Sequence, residues 1–471
     1  MDRHAVRTGT IADTGACQRA CARPADAGVR RRDERLLGGA RDRGATLRAI
    51  LLLALAPALS VPNVHALESG ARLAAAMHAQ SAVEGEGSQS RPTPTRPPPT
   101  RPPPTHTGTH ERGTDGRARV HEAAIRDERS RAALERGLDW LVREQARDTD
   151  GSFPATGLRL RGGRAVPAAD GSGSFAPVAV TALSTLALMS GGSAPGRGPH
   201  GDAVARGVDW LVSRTELDAR AADRGYVSLG GDSLSRMHGH GFAALTLAQA
   251  FAISPGSERG ARVEAALRAA VECIEKSQGV DGGWWYEPAR SVQHENSITI
   301  CAVQALRGAH AAGLRVDTQT IRRAVEYVSR TQKPDGSFRY ALGDEKSSVA
   351  LTAAAISTLN ATGTYGGRAI EDGYDWIHRR LAAREDSGDG RVEGDFVMCA
   401  FYERLYLAQA MWQNSDARVF DEWWSREMPR LLASQAPDGS WSDPRYGDCY
   451  ATAMNCLVLA IPAGLLPIFQ R

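Results

Sequence analysis

The sequence lacks a hydrophobic run long enough to cross a membrane, which takes about 20 apolar residues. The run AILLLALAPALSV at positions 49–61 is shorter than that, and Pro57 interrupts it. Arginines, the nearest of them Arg48, precede the run, and the small-residue stretch VHA at 64–66 follows it. This order of a basic, an apolar and a cleavable segment is typical of a secretory signal peptide.

We therefore expect residues 1–66 to be a signal peptide region with an over-long start. The mature protein is then exported to the periplasm, the cell surface or the medium, and it has no integral membrane span after cleavage. The alternative is an uncleaved N-terminal anchor. The next segment contains RPTPTRPPPTRPPPT at 91–105, which favours extended polyproline II and has nothing to bury. Residues 67–125 are accordingly predicted to be a disordered Pro/Thr/Arg-rich linker.

Cysteine is scarce, and its count argues against a disulfide framework. Seven cysteines occur, and Cys17 and Cys21 precede the apolar run. The other five are an odd set, which is not typical of paired disulfides in an exported protein. They fall in Ala- and Leu-rich stretches, so we expect most of them to be buried thiols that act as small apolar residues. These five are Cys273, Cys301, Cys399, Cys449 and Cys456.

An excess of positive charge is absent from the part of the chain that folds. Residues 1–122 hold 18 basic and 12 acidic side chains, a balance of +6. The remaining residues hold 39 basic and 42 acidic side chains, a balance of −3. Proteins whose main partner is nucleic acid carry a basic patch or stripe. We therefore expect no nucleic-acid partner.

What the sequence does contain is a repeat: Gln, a short spacer, Asp-Gly, one residue and an aromatic. It occurs as SQAPDGSW (434–441), TQKPDGSF (331–338), SQGVDGGW (277–284) and DTDGSF (148–153) behind Gln145. The Asp-Gly turns at 281 and 335 are 54 residues apart, and the turns at 335 and 438 are 103 apart, nearly two such steps. Two worn copies, ADRGYVS (222–228) and SGDGRV (387–392), fill the gaps and make six repeats. The segment 157–174 is predicted to be a Gly-rich loop insertion.

Each repeat combines two kinds of helix pattern. Before the turn lies an amphipathic segment such as TIRRAVEYVSRTQ (320–332), apolar at i, i+3, i+4 and i+7. After the turn lies a segment that is apolar nearly all round, such as SVALTAAAISTL (348–359). A helix with one apolar stripe faces water, whereas a helix that is apolar all round is buried. The sequence therefore predicts an all-α fold over 126–471, an α/α toroid of six helix-pair repeats with six inner and six outer helices.

The turn motif has a structural explanation. Asp-Gly ends the outer helix, because glycine adopts the left-handed conformation cheaply. The aromatic residue packs between neighbouring repeats, and the glutamine hydrogen-bonds backbone groups that the helix end leaves unpaired. We expect no chemistry in these turns.

The motif and its spacing also resemble the repeat shared by squalene/hopene cyclases and protein prenyltransferase β-subunits. The resemblance covers about 130–471 and rests on four good and two worn copies. It implies a toroid with a central cavity, lined by the N-terminal ends of the inner helices, that binds or transforms an apolar isoprenoid-type molecule.

The residues themselves also direct attention to the N-terminal ends of the inner helices, because polar side chains recur there. We expect them to converge around a single opening, with Asp395 and Asp448 as the catalytic candidates. The alternative is that they only cap helices. The ligand-binding candidates are His238, His240, His294, Glu295, Asp344, Glu345, Tyr402, Cys449 and Tyr450.

Both catalytic motifs of the resembled family are missing. A cyclase of that type carries Asp-x-Asp-Asp-Thr-Ala, and DEKSSVAL at 344–351 has Lys346 and Ser347 where two Asp are needed. A prenyltransferase carries Asp-x-Cys and a later zinc-binding His, but His378 is the last histidine. Other histidines of the rim could still assemble a zinc site. The sequence therefore leaves enzymatic activity, metal and cofactor unassigned.

Three functions remain open. The first is an exported toroid that binds or transforms an apolar isoprenoid-type ligand in its cavity. The second is a non-catalytic scaffold that binds a protein or peptide, and the third is an (α/α) toroid carbohydrate-active enzyme. Aliphatic and aromatic lining favours the first, a filled core the second, and paired carboxylates in an open cleft the third.

Overall fold

The computed structural model describes most of the chain from Asp127 onward. The predicted signal peptide and linker, the worn turn around 389 and the catalytic candidate Asp395 lie outside the described residues. The described ranges are 127–147, 150–155, 158–161, 164–167, 176–230, 232, 235–363, 366–387 and 399–466.

Twelve α-helices lie in the described residues, and outer and inner helices alternate along the chain. The outer helices are α1 (Glu128–Gln145), α3 (Gly201–Ser213), α5 (Glu258–Ser277), α7 (Thr318–Arg330), α9 (Arg368–Asp386) and α11 (Ala417–Ala433). The inner helices are α2 (Pro177–Ser190), α4 (Arg236–Ile253), α6 (Asn296–Ala311), α8 (Val349–Ala361), α10 (Ala400–Gln413) and α12 (Asp448–Ala460), which a 3-10 turn, Ile461–Ala463, follows.

The inner helices form a closed ring. Each inner helix contacts the next one along the chain, and α12 returns to contact α2. The outer layer closes as well, because α11 packs against α1. The predicted α/α toroid of six helix pairs is therefore confirmed.

Burial separates the two layers as the hydrophobic pattern indicates. In α2 every residue except Ala179 is buried. In α7 the buried residues form one stripe, which includes Ala324, Val325 and Val328. The five cysteines of this region form no disulfides with one another, and four of them are buried. No helix among the described residues is long and apolar enough to cross a membrane.

The insertion at 157–174 was predicted to be a loop, and this prediction is wrong in part. Strands β1 (Leu158–Arg161) and β2 (Arg164–Pro167) pair antiparallel within it. The sequence Leu-Arg-Leu-Arg of β1 alternates apolar and charged residues, which is the period of a strand.

The four well-preserved turns, which we call the staple turns, share one set of hydrogen bonds. In the third repeat Gln278 Nε2 donates to the Gly282 carbonyl and to the Thr320 carbonyl of the next outer helix, each at 2.8 Å. The other glutamines donate in the same way, so each glutamine ties its own turn to the start of the neighbouring repeat. They are Gln145, Gln332 and Gln435.

The staple glycine is required by both its conformation and its position. Gly336 has φ +95°, and a Cβ atom there would lie 2.2 Å from the Asp372 carbonyl oxygen of the next outer helix. Gly282 stands in the same relation to Arg323 O, at 2.2 Å. No side chain fits that distance, so the turn can approach the neighbouring helix only with glycine.

The staple turns are also fixed to the inner helices. The backbone N–H of Phe338 donates to Thr352 Oγ1 at 3.1 Å, and the N–H of Trp441 donates to Thr452 Oγ1 at 2.9 Å. Equivalent bonds join the turns of the other described repeats to their inner helices. We call the five accepting residues the anchor ring: Thr181, His240, Thr299, Thr352 and Thr452.

Candidate functional site

A cavity of about 260 Å³ lies at the N-terminal ends of the inner helices. Every inner helix contributes lining residues from its N-terminal half, so these ends meet on one side of the toroid. In five inner helices one lining residue stands two positions before the anchor-ring residue, and in α10, where no anchor is described, the lining residue is Tyr402 in the first turn. We call these six the cavity ring: Ala179, His238, Ser297, Ala350, Tyr402 and Tyr450.

The two rings face opposite ways for a geometric reason. Successive residues of an α-helix are about 100° apart, so two positions along turns a side chain by about 200°. Thr352 therefore points outward to its turn, whereas Ala350 points into the cavity. The same step separates His240 from His238.

Most of the cavity wall is apolar. Leu183 and Phe242 lie on one side, Leu351 on another, and five tyrosines complete the wall. Burial raises the pKa of the Tyr402 and Tyr450 hydroxyls well above their ordinary value, so both stay neutral. The wall can therefore bury hydrocarbon at a gain of about 25 cal/mol for each Å².

A short polar chain interrupts the apolar wall. His238 Nε2 lies 2.8 Å from Ser297 Oγ, and Ser297 Oγ lies 2.9 and 2.8 Å from the two carboxylate oxygens of Glu295. Glu295 is the N-cap of α6, where it also accepts the N–H groups of Ser297 and Ile298. Ser297 thus joins a fully buried carboxylate to a histidine of the cavity wall.

Burial governs the protonation of both ends of this chain. It raises the pKa of Glu295 to about 7, against the opposing effect of the hydrogen bonds from Ser297 and Ile298. It lowers the pKa of His238 to about 4, so the imidazole is neutral at neutral pH. His238 Nε2 lies 3.9 Å from Glu295 Oε1, too far for a hydrogen bond.

Two tyrosines lie beside the histidine. The hydroxyls of Tyr286 and Tyr340 are 2.7 Å apart, and the Tyr286 ring centroid is 5.9 Å from that of His238. Burial raises the pKa of both hydroxyls. Sequence reasoning missed this pair, although a signal existed: each tyrosine stands two residues after the aromatic of its staple turn, Trp284 or Phe338.

A carboxylate also reaches the cavity, but an arginine neutralises it. Arg384 donates to both oxygens of Glu403, at 2.5 and 3.1 Å, and both side chains are mostly buried. Glu403 also lines a second cavity, of about 670 Å³, whose wall comes from α9, α10 and α11. Ion pairs such as Arg404–Glu427, at 2.5 Å, line that second cavity.

Of the predicted ligand-binding residues, the structure brings His238, Tyr402 and Tyr450 to the central cavity. Glu295 lies behind the wall and reaches the cavity only through Ser297. Ser297 itself was not predicted, although it closely follows the predicted His294 and Glu295 and lies in the first turn of α6. A serine in that place is readily taken for a cap.

Two of the predicted histidines stabilise the fold and do not line the cavity. His240 is fully buried, and its Nδ1 accepts the Val227 N–H at 3.1 Å, as the threonines of the anchor ring do. His294 is held by the Ser291 carbonyl at 2.8 Å and packs edge-on against Tyr327. Both side chains fix turns to their own repeats.

Four other predicted residues also lie away from the cavity wall. Asp344 accepts the Lys346 N–H within its own loop, and Glu345 pairs with Lys333 and Arg339. Asp448 is exposed at the first turn of α12, where it accepts the Ser442 hydroxyl at 2.8 Å. Cys449 is buried outside the cavity. Local loop and helix-end contacts account for these side chains, so we assign them no ligand.

No group of three or more His, Cys, Asp or Glu side chains in the described residues is arranged to hold a metal ion. The described residues therefore do not form the zinc site that the sequence had left as a possibility for the rim histidines. His238 and His240 lie on opposite faces of α4, which alone prevents them from sharing an ion.

Comparison with known proteins identifies the fold. No protein-family profile and no curated protein matches the sequence. Among solved structures, the apo type II terpene cyclase MstE from Scytonema is 16% identical, covers 72% of this chain and 99% of its own, and has a TM-score of 0.45. A substituted variant of MstE has also been solved with geranylgeranyl dihydroxybenzoate, its substrate. A D-mannose isomerase is 12% identical, with 71% and 96% covered and a TM-score of 0.50. At such identities the likeness concerns the fold alone: the chain is similar to terpenoid cyclase-like and related α/α toroids.

Proposed function

We propose that the central cavity binds an apolar, isoprenoid-type ligand. The observation that carries this proposal is the lining: it is mostly aliphatic and aromatic, lies at one end of the toroid, and has a few polar groups, the His238–Ser297 pair among them. Concave, mostly apolar sites with a few placed polar groups are the usual form of small-molecule sites. The resemblance of the repeat to that of squalene/hopene cyclases and prenyltransferases supports the same ligand class.

The size of the cavity limits the ligand. A volume of about 260 Å³ is room for about nine water molecules at ~30 Å³ each. That is slightly below the range of roughly 300–1,000 Å³ typical of sites for drug-sized ligands. The cavity therefore fits a short isoprenoid, or one end of a longer chain.

The carbohydrate alternative has less support. Glycoside hydrolysis needs two carboxyl groups across a cleft. Among the described residues of the cavity wall Glu403 is the one carboxylate, and Arg384 holds both of its oxygens. The similarity to a D-mannose isomerase does not alter this, because one fold hosts unlike chemistries and the site decides.

A filled core was the feature expected of the non-catalytic scaffold that binds a protein or peptide. The cavity at the start of all six inner helices argues against that alternative. Export to the periplasm, the cell surface or the medium also belongs to this proposal, on the strength of the Arg-flanked apolar run that ends at VHA. N-terminal sequencing of the mature protein is expected to begin near Leu67, and an intact Met1 in a cytoplasmic fraction would contradict export.

Filling the cavity tests the proposed function. Ala350 belongs to the cavity ring and is partly exposed, so a tryptophan there can enter the cavity without breaking the core. Ala361 is also partly exposed but lies at the opposite end of α8, which makes Ala361→Trp the matched control. In calorimetric titrations with geraniol we expect Ala350→Trp to lose binding at least tenfold and the control to bind as the wild type does. Absence of binding to the wild type, or equal binding by both variants, would refute the proposal.

A further inference from the structure

The polar chain at the cavity wall determines which hydrogen-bonding group it offers to a ligand. Above about pH 7 the Glu295 carboxylate is ionised and only accepts, so Ser297 donates its single hydroxyl proton to it. Ser297 Oγ can then only accept from His238 Nε2, which lies 2.8 Å away. The neutral imidazole therefore carries its proton on Nε2, and Nδ1 is left as an acceptor.

Nδ1 of His238 is available to a ligand. The ring lines the cavity, and no hydrogen bond within the described part of the chain engages Nδ1. The cavity wall thus offers a hydrogen-bond acceptor at His238 Nδ1. The buried Glu295 determines that this atom accepts, because it sets the direction of the two hydrogen bonds that link it to His238.

The neighbouring tyrosine pair offers the complementary group. The bond between the Tyr286 and Tyr340 hydroxyls uses one of their two protons, so the other proton remains to donate. Neither hydroxyl has a further hydrogen-bond partner among the residues that the structure describes. An acceptor on His238 and a donor on the adjacent tyrosine pair match one kind of ligand atom, a hydroxyl oxygen, which both donates and accepts.

We infer that the ligand is an isoprenoid alcohol whose hydroxyl donates to His238 Nδ1 and accepts from the Tyr286–Tyr340 pair, while its hydrocarbon chain lies against Phe242 and Leu351. This inference rests on the proposed function and adds the polar group of the ligand to it. Glu295 and Ser297 are positioning residues here, because they act through His238.

Three probes with related carbon skeletons test this assignment. Geraniol carries a hydroxyl, geranyl methyl ether can only accept, and myrcene is a hydrocarbon with the skeleton of geraniol. Titrated calorimetrically above pH 7, the full chain is expected to bind geraniol about tenfold more tightly than the ether, since one hydrogen bond is lost. The ether is expected to bind more tightly than myrcene, because it keeps the tyrosine donor.

Variants of the wall separate the two contacts. His238→Phe keeps an aromatic ring against Tyr286 and is expected to weaken geraniol to the level of the ether, with myrcene unchanged within about twofold. The double variant Tyr286→Phe with Tyr340→Phe removes both hydroxyls and is expected to weaken geraniol and the ether but not myrcene. His310→Phe, at the exposed far end of α6, is the control and is expected to change none of the three affinities.

Glu295→Gln tests the donor-to-acceptor direction of the hydrogen bonds that link Glu295, Ser297 and His238. The glutamine amide donates to Ser297, Ser297 then donates to His238 Nε2, and Nδ1 becomes a donor. The ether gains a partner, so the tenfold preference for geraniol is expected to fall towards one. A role in folding alone would weaken all three probes together and leave their ratios unchanged.

The outcomes separate the two proposals. Equal binding of geraniol, the ether and myrcene by the wild type would overturn the alcohol assignment and leave the apolar cavity standing. An unchanged geraniol-to-ether ratio in both His238→Phe and Glu295→Gln would overturn it as well. No binding of any of the three probes would instead refute the proposed function itself.

Discussion

The anchor ring and the cavity ring lie two residues apart on the same inner helices, yet their compositions differ. Four of the five anchor residues are threonine, and the fifth, His240, makes the same kind of bond. The cavity ring holds alanine, histidine, serine, alanine and two tyrosines. The first set is uniform because each repeat solves the same packing problem. The second is varied because its members surround one shared space, where we propose that each meets a different part of a ligand.

The staple turns belong with the anchor ring. Each combines a glutamine that holds the next outer helix with a glycine that allows close approach, as Gln278 and Gly282 do. We therefore expect substitutions in the staple turns and the anchor ring to lower stability, and substitutions in the cavity ring to alter ligand binding.

The largest effect is expected at a staple glycine. Gly336→Val introduces a β-branched residue at φ +95° and a Cβ atom 2.2 Å from a backbone carbonyl oxygen. We expect a loss of about 4–5 kcal/mol in the free energy of unfolding, from strain and overpacking together. Gly313→Val is the control, because Gly313 has φ +89° and no atom within 4 Å of its added Cβ. Its loss is expected to be about 1–2 kcal/mol, measured by denaturant titration. Equal losses would mean that close approach contributes nothing.

The next effect depends on pH and on Glu295. Its pKa is raised to about 7 by burial, so the folded state binds this proton more tightly than the unfolded state does. The resulting stabilisation is fully present below the ordinary carboxyl pKa and is lost as the pH rises through about 7. When the pH is lowered from 7.5 to 4.5, the free energy of unfolding of the wild type is therefore expected to rise by on the order of 3 kcal/mol relative to that of Glu295→Gln.

Urea titrations of both proteins across that pH range measure the difference. The lowered pKa values of His238 and His240 give a slope of opposite sign, but both proteins carry these histidines and the slope cancels. A pH-independent difference would show that Glu295 is ionised as easily in the folded chain as in the unfolded one.

A smaller loss is expected when a staple glutamine is removed. Gln278→Ala deletes two donated hydrogen bonds and the acceptor of Arg323, and should cost about 2 kcal/mol. Gln319→Ala, on the exposed face of the neighbouring helix, is expected to change stability by less than about 0.5 kcal/mol. Thermal melts of the two variants measure stability, and their affinity for geraniol is the second readout. If Gln278→Ala weakened geraniol binding without lowering the melting temperature, the separation between stabilising turns and ligand-binding cavity would be wrong.

The fold was readable from the sequence because it rests on repeated signals. The Asp-Gly turns recur at a spacing of 54 residues, and helices with one apolar stripe alternate with helices that are apolar all round. These repeated patterns predict the toroid, and the prediction does not depend on any one residue. The threonines of the anchor ring were also visible at the same place in four inner helices, and they could have shown which position faces the turns.

The site was only partly readable, for a physical reason. An inner helix is apolar all round, so its pattern does not tell which polar residue faces the cavity and which faces the turn. His238 and His240 therefore received the same prediction. The tie between Ser297 and His238 joins positions 59 residues apart, and the burial that raises the pKa of Glu295 comes from the closed ring as a whole. Neither property belongs to a local stretch of sequence.

The central claim is that neighbouring histidines of one helix serve stability and ligand binding separately. The direct test is the geraniol-induced rise in melting temperature, measured for the wild type, His238→Phe and His240→Ala. His240→Ala is expected to lower the melting temperature of the free protein through a loss of about 2 kcal/mol, yet to keep the rise of the wild type at saturating geraniol. His238→Phe is expected to melt within a few degrees of the wild type and to show a reduced rise. The reverse pattern, or a rise lost equally in both variants, would contradict the account.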